Sequence, residues 1–263
     1  MEFFETKIND ITFMASPNIQ VRHAFTTRFG GVSSGIYESL NLAQRADDNL
    51  DNVKENYERI CEALGICTDD IVYSTQVHGT HIRVVSRDDC GKLFEPNTHQ
   101  ADGLITQTPG VALMVFVADC VPVLLYDPVK KVAGAVHAGW RSTAADITGI
   151  AVQKMISRFE CSPESIKAAI GPCISDCCFE TDSDVPEALL KSLKNNAKRC
   201  ISKNGNKYFI DLKEANRLML ENAGLKDIIV SDECTSCRSD IYWSHRKTQG
   251  RRGSQAAFIV IKD

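Results

Sequence analysis

The stretch that decides the fold is residues 111–143, VALMVFVADCVPVLLYDPVKKVAGAVHAGWRST. Val111–Val117 and Val121–Tyr126 are apolar runs rich in β-branched residues and bounded by Gly, Asp and Pro, which predicts two strands buried on both faces. Ala118-Asp119-Cys120 interrupts them and leaves a carboxylate and a thiol at a strand end, where grafted chemistry commonly sits. A third strand, Val132–Ala135, leads into Val136-His137-Ala138-Gly139-Trp140-Arg141. The small residues flanking His137 allow a ligand or another backbone to approach closely. If the two strand ends are neighbours, Cys120 and His137 share a site.

Working outward, Ile71–Val77 predicts a strand that ends at His78-Gly79-Thr80-His81, giving His78 the same placement as Cys120 and His137. Residues three apart on extended chain face opposite ways, so only one of His78 and His81 is expected in any site. Residues 88–100 read as a loop, and Ala101–Thr106 as a short strand. Asp51 or Asn52 caps a helix with Val53, Tyr57, Ile60 and Leu64 on one face and Gly65 as its stop. Ser142 or Thr143 caps a helix from Ala144 to about Phe159, with Ile147, Ile150, Ala151, Met155 and Phe159 inward. Asp211 and Glu214 form a capping box for a helix that stops at Gly224. Ile166–Ile170, Ile228–Val230 and Ala256–Ile261 complete the strands.

The 263 residues, 43% hydrophobic, can fill a sizeable core and show no linker, so one domain over residues 1–263 is expected. A net charge of -4, from 30 basic and 34 acidic residues, provides no global field for nucleic acid or an anionic membrane. No apolar stretch is long enough to span a bilayer and MEFFETKINDITFM is not a signal peptide, which points to the cytoplasm. Eleven cysteines without a disulfide rhythm imply reduced thiols, some buried and some on metal.

Two clusters carry metal chemistry in their residue types. Cys234-x-x-Cys237, joined in space by Cys173, Cys177 or Cys178, makes a closed zinc site if four thiolates converge; a single C-x-x-C pair more often marks structural thiols. His78, Cys120 and His137 are a His2Cys set, which holds catalytic zinc with a fourth position open to water or substrate. The same set suits copper, and without metal Cys120 and His137 can act as thiolate and base. Thr27-Arg28-Phe29-Gly30-Gly31-Val32 is a turn-rich loop whose paired glycines permit close approach to an anion, though ordinary turns account for most such loops.

Gln76-Val77-His78-Gly79, Ala101-Asp102-Gly103, Ala118-Asp119-Cys120-Val121-Pro122, His137-Ala138-Gly139-Trp140-Arg141 and Gly171-Pro172-Cys173 together resemble the bacterial YlmD/YfiH family, formerly labelled polyphenol oxidases or laccase domains. The resemblance covers nearly the whole chain. It implies an α+β fold of four αββα layers with mixed sheets, related to cysteine-hydrolase toxins. It also implies a zinc-dependent purine nucleoside phosphorylase that deaminates adenosine and cleaves methylthioadenosine, with purine nucleosides and phosphate as partners. On the matching residues, His78, Cys120 and His137 become the catalytic Zn2+ ligands, Asn41 a nucleoside contact and Arg28 a stronger candidate for phosphate. Ser244-His245-Arg246-Lys247 and Gly250-Arg251-Arg252-Gly253 depart from the family's tail, so no tail arginine takes a role from it. The alternatives are a metal-free Cys-His amide hydrolase acting on cell-wall precursors, a copper polyphenol oxidase, for which six histidines are few, and a binding module with a structural zinc.

Overall fold

The computed structural model describes residues 2–44 and 47–262. In chain order its strands are β1 (Phe4–Ile8), β2 (Ile11–Ala15), β3 (Arg22–Thr26), β4 (Ile71–Val72), β5 (Ile82–Val84), β6 (Gly103–Thr106), β7 (Ala112–Val117), β8 (Val121–Asp127), β9 (Val132–Ala138), β10 (Lys167–Ile170), β11 (Glu180–Thr181), β12 (Ile201–Asn204), β13 (Lys207–Ile210), β14 (Asp227–Val230) and β15 (Gln255–Val260). The α-helices are α1 (Leu50–Leu64), α2 (Trp140–Ala144), α3 (Ile147–Phe159), α4 (Asp184–Leu193), α5 (Leu212–Asn222) and α6 (His245–Thr248). One six-stranded sheet has the order β1-β2-β3-β15-β7-β4 and the other β14-β10-β8-β9-β6-β5, while β11-β13-β12 form a small third sheet. Both large sheets are mixed: β4 runs parallel to β7, β10 to β14 and β5 to β6, and the remaining pairs are antiparallel.

Alternation along the central strands explains the layering. On β8, Val121, Val123 and Leu125 pack with α3, α4 and α5, whereas Leu124 and Tyr126 face the other sheet. On β15, Ala256, Phe258 and Val260 pack with α1, and Ala257 and Ile259 join Leu124 between the sheets. A period of two with apolar residues in both phases puts a hydrophobic layer on each face of each sheet. The order is therefore helix, sheet, sheet, helix, a mixed α+β fold with the expected four layers. The switch between sheets occurs inside the opening stretch: β7 belongs to the first sheet and β8 to the second, so Ala118-Asp119-Cys120 is the crossing.

Several boundaries differ from expectation for local reasons. The strand expected to reach Val77 ends at Val72, because Asn97 Nδ2 donates to Tyr73 O and Thr75 pairs with the loop at Asn97 and His99. α1 is capped by Asn49 rather than Asp51 or Asn52, and ends at Gly65 in the left-handed region as expected. The helix expected from Ala144 is split: Trp140–Ala144 makes one turn, and Asp146 caps Ile147–Phe159 through Gly149 N. Thr143 instead accepts from Asn216, and Ile150 faces outward. Asp211 caps α5 as expected, but Glu214 pairs with Arg217 and Arg199, so the capping box is half formed. His137 lies within β9, opposite Pro122 of β8, rather than beyond the strand's end.

Candidate active site and metal centre

His78, Cys120 and His137 converge from three separate segments. Their ligating atoms lie within 4.8 Å of one another. The register of β8 against β9 sets two of them: Val121 pairs with Ala138 and Pro122 with His137, which leaves Cys120 at the mouth of the same ladder. His78 arrives from the loop after β4 with φ of 57°, a left-handed conformation rarely taken by a residue other than glycine. Cys120 Sγ is 3.7 Å from His78 Nε2, and the two imidazoles meet edge to face with centroids 4.8 Å apart. His81 is exposed and outside the group, in line with the expectation that only one of the pair enters a site.

Asp102, fully buried at the start of β6, organises both histidines. Its Oδ1 accepts from the His78 backbone N–H at 2.9 Å and from His137 Nδ1 at 2.8 Å. Oδ2 accepts from Val77 N and Gly79 N. With Nδ1 on the carboxylate, His137 directs Nε2 toward Cys120; a carboxylate fixing tautomer and ring orientation in this way is the usual support of a metal-binding histidine. Gly139 supplies the space, since a Cβ there would lie 2.5 Å from His78 Cδ2 and 3.4 Å from Cys120 Sγ.

Without metal, the electrostatics hold Cys120 and His137 as a thiolate–imidazolium pair. Burial opposes a thiolate at Cys120, but the positive charge of His137 and hydrogen bonds from His137 and His78 outweigh it and hold the pKa at about 6. Burial likewise opposes the His137 imidazolium, and the Cys120 charge with the Asp102 hydrogen bond raises it to about 9. Asp102 stays low despite burial, through His137 and the backbone N–H groups it accepts. A metal would displace the His137 proton, and two neutral imidazoles with a thiolate suit a borderline ion such as zinc.

The crossing residue Asp119 ties this centre to the tail of the chain. It is buried with φ of 83°, and its carboxylate accepts from Thr235 Oγ1 and Arg246 N, both at 2.6 Å. Arg252 also feels the charges of Asp119 and Cys120, and its Nε is buried without a hydrogen-bond partner. It lines a cleft of about 620 Å³ together with Gln44, Tyr73, Gln76, Phe94 and Phe116. Tyr73 and Phe116 pack edge to face there, 5.8 Å apart.

The other two expected contacts are placed differently. Asn41 is fully buried; its Oδ1 accepts from Ala43 N and Ser254 N, and its Nδ2 donates to Asp48. Ala43 and Ser254 line the cleft, so Asn41 shapes the wall while exposing no atom of its own. Arg28 lies outside the cleft lining, stacks over Trp243 at 4.1 Å and donates to Ser239 O and Glu38 O. The adjoining glycines serve backbone packing, since a Cβ at Gly30 or Gly31 would meet Asp10 O or Ser39 O at 2.3 Å. Sequence reasoning gave no role to Asp102, Thr235 or Arg252, and offered Asp119 only as a carboxylate at a strand end. An acid opening an apolar strand, as in Ala101-Asp102-Gly103-Leu104-Ile105, is the signal that marks Asp102.

Comparison with known proteins identifies the family and matches the fold. The family model described as "Multi-copper polyphenol oxidoreductase laccase" matches residues 22–262. The chain belongs to this family. A purine nucleoside phosphorylase of Deinococcus radiodurans is 39% identical over 251 residues, which is 95% of this chain and 93% of that protein. Purine nucleoside phosphorylase YlmD of Geobacillus stearothermophilus is 38% identical over 240 residues, 89% of this chain and 88% of the relative. The crystal structure of YlmD from Geobacillus stearothermophilus superposes with a TM-score of 0.94 at 34% identity, covering 100% of both chains. That of YfiH from Bacillus licheniformis does so with a TM-score of 0.93 at 32% identity over 99% of each. Among the described residues, His78, Cys120 and His137 are the one metal-competent group that contains imidazole. His23 is occupied by Ser16 N and Val21 O. No helix among the described residues is long and apolar enough to cross a membrane.

Proposed function

We propose that this chain is a zinc-dependent, cytoplasmic purine nucleoside phosphorylase formed by one domain over residues 1–263. It converts adenosine, inosine, guanosine or methylthioadenosine and phosphate to the free base and the corresponding sugar 1-phosphate, with adenosine deamination as a side activity. The observation that carries the reading is the convergence of His78, Cys120 and His137, linked through Arg252, which feels the Cys120 charge, to an aromatic cleft, in a chain 39% identical over 95% of its length to a purine nucleoside phosphorylase.

The donors fit a catalytic metal: Nε2 of His137 is left over by Asp102, Nε2 of His78 faces the same point, and the Cys120 thiol ionises readily. Zinc bound there supplies Lewis-acid polarisation of an oxygen on a reacting group. The remaining work falls to the chain. Tyr73, Phe94 and Phe116 offer apolar ring surface to a purine, while Gln44 braces the Tyr73 hydroxyl and the Gln76 amide pairs with the Phe116 backbone. Arg252 lines the cleft, and although its Nη1 donates to Gly253 O and Ser254 Oγ its buried Nε has no partner; it is the residue we assign to phosphate in preference to Arg28, which lies outside that lining. Asn41 positions the wall through Ala43 and Ser254. In phosphorolysis a phosphate oxygen forms the new bond to the anomeric carbon as the bond to the purine nitrogen breaks, and the base leaves with its electron pair. Holding both reactants in one cleft supplies the orientation term.

One observation favours a second reading. Cys120, His137 and Asp102 form a thiolate, imidazole and carboxylate relay, the arrangement of a metal-free cysteine hydrolase acting on an amide such as a cell-wall precursor. Product separation after incubating inosine with and without phosphate decides between the two. Hypoxanthine that requires phosphate, and that Cys120→Ala abolishes, is expected. Equal product without phosphate means hydrolysis, and full amidase activity in metal-stripped protein favours the relay.

A further inference from the structure

Outside the active site, four more sulfurs gather at one point. Cys177 and Cys178 lie in the loop after β10, and Cys234 and Cys237 in the loop after β14. β10 and β14 are parallel neighbours, and a bridge between Cys173 and Cys234 continues their pairing past the strand ends. Both loops therefore leave the same edge of the sheet together. The Sγ atoms lie within 4.8 Å of one another. Cys177 is 3.6 Å and Cys178 3.4 Å from Cys237, and Cys177 and Cys178 are 3.8 Å apart.

Those separations bear on three readings. A disulfide needs sulfurs about 2.05 Å apart. Thiols acting as small hydrophobes should be buried, yet Cys177 and Cys237 are exposed and Cys178 is only partly covered. A tetrahedral zinc with bonds of about 2.3 Å to each sulfur places the sulfurs roughly 3.8 Å apart, close to what is observed. Cys234, the one buried member, adds a further sign: backbone N–H groups of Ser175, Ser236 and Cys237 point at its sulfur, with Ser175 N at 3.4 Å. Convergent N–H groups are how a protein supports a thiolate that carries metal. Cys173, offered by the sequence as a partner, is buried and directed to Ile174 O, outside the group.

We propose that Cys177, Cys178, Cys234 and Cys237 form a second, structural zinc site with four thiolate ligands, which clips together the loops leaving β10 and β14. Four protein ligands leave no open position, so the site performs no chemistry of its own. Its purpose follows from what lies between the two C-x-x-C cysteines. Thr235 donates to Asp119, the residue beside Cys120, so the clip fixes the loop that steadies the sheet crossing. Arg246, whose guanidinium donates to Cys178 O and Glu180 O while its N–H donates to Asp119, closes the same circuit from the other side.

The test is metal analysis and X-ray absorption on protein purified without added zinc. Removing the catalytic ligands with His78→Ala and Cys120→Ala should leave about one zinc per chain, with sulfur-only coordination at about 2.3 Å. Cys177→Ser with Cys237→Ser should lose that equivalent while His78 and Cys120 keep theirs. If that variant does not fold, the absorption spectrum of the His78→Ala/Cys120→Ala protein still decides. Absence of zinc there, a first shell containing nitrogen or oxygen, or a Cys177–Cys237 or Cys178–Cys237 disulfide in freshly purified protein would overturn the proposal. Zinc unaffected by His78→Ala and Cys120→Ala yet lost with the four cysteines would instead sink the catalytic zinc and leave this site standing.

Discussion

Asp102 Oδ1 accepts a hydrogen bond from His137 Nδ1 at 2.8 Å and, at 2.9 Å, from the backbone N–H of His78, so a single carboxylate oxygen orients the His137 ring and anchors the backbone that carries His78. Asp102→Asn keeps the shape but places an amide where His137 needs an acceptor for its Nδ1–H. Loss of such support typically costs about 10–100-fold in metal affinity or activity. We expect a fall of that order in zinc affinity by chelator competition and in kcat/KM for inosine, with the fold retained by circular dichroism. Unchanged affinity and turnover would remove Asp102 from the site's architecture.

Gly139→Ala isolates the geometry from the ligands. Gly139 has φ of -69° and ψ of 168°, values that alanine adopts without strain, so the backbone tolerates the change. The added methyl falls 2.5 Å from His78 Cδ2, well inside contact distance, and must push the imidazole away. Displacing a reacting group by about 1 Å can cost on the order of 100-fold. Activity should drop at least tenfold while the thermal midpoint stays near that of the parent. Full activity in the variant would show that His78 is free to move.

Arg252→Met tests the anion assignment. Methionine preserves much of the apolar stem and removes the charge and the orphaned Nε. A hydrogen bond to a charged group is worth roughly 1.5–3 kcal/mol, which corresponds to about 10–100-fold. The KM for phosphate should rise by that factor, with a smaller change in KM for inosine. The same substitution at Arg28 should leave the phosphate KM in place and lower stability, because Arg28 bonds carbonyls and stacks on Trp243. The reverse pattern would return phosphate to the Gly30-Gly31 loop.

The parts of this molecule that were readable beforehand are those in which one local pattern decides the outcome. Residues 111–143 carry both phases of apolar alternation, so the buried strands and the polar break at Asp119-Cys120 follow from the sequence pattern alone. His78, Cys120 and His137 were also readable as residue types at the ends of apolar runs. The assembly was not, because it depends on the register of β8 against β9 and on Asp102 reaching back under His78. Residues 180–210 drew no reading: β11 and β12 are short and largely exposed, so solvent rather than core selects their side chains, although Val185, Leu189 and Leu193 of α4 recur at helical spacing. The cysteine cluster shows the same limit. Cys177 and Cys178 lie far along the chain from Cys234 and Cys237, and only the parallel pairing of β10 with β14 brings them together.

The last prediction concerns protein stripped of metal by a chelator, where Cys120 answers only to its protein neighbours. Burial by itself would raise the thiol above its ordinary value; His137 and then His78 reverse that and bring it to about 6. A lowered thiol pKa means that the reactive thiolate is present above that pH and disappears as pH falls through it. Alkylation of Cys120 by iodoacetamide, followed by mass spectrometry, should therefore be nearly independent of pH between about 7 and 8.5 and decline with a midpoint near 6. His137→Gln removes the largest favourable charge and leaves the burial, so its midpoint should move above that of an ordinary thiol, and reactivity at neutral pH should fall by at least tenfold. Added zinc should protect the parent protein, since a coordinated sulfur is no longer a free nucleophile. A parent midpoint of about 8.5, the value of an isolated cysteine, would mean that His137 and Cys120 do not share the site as arranged here.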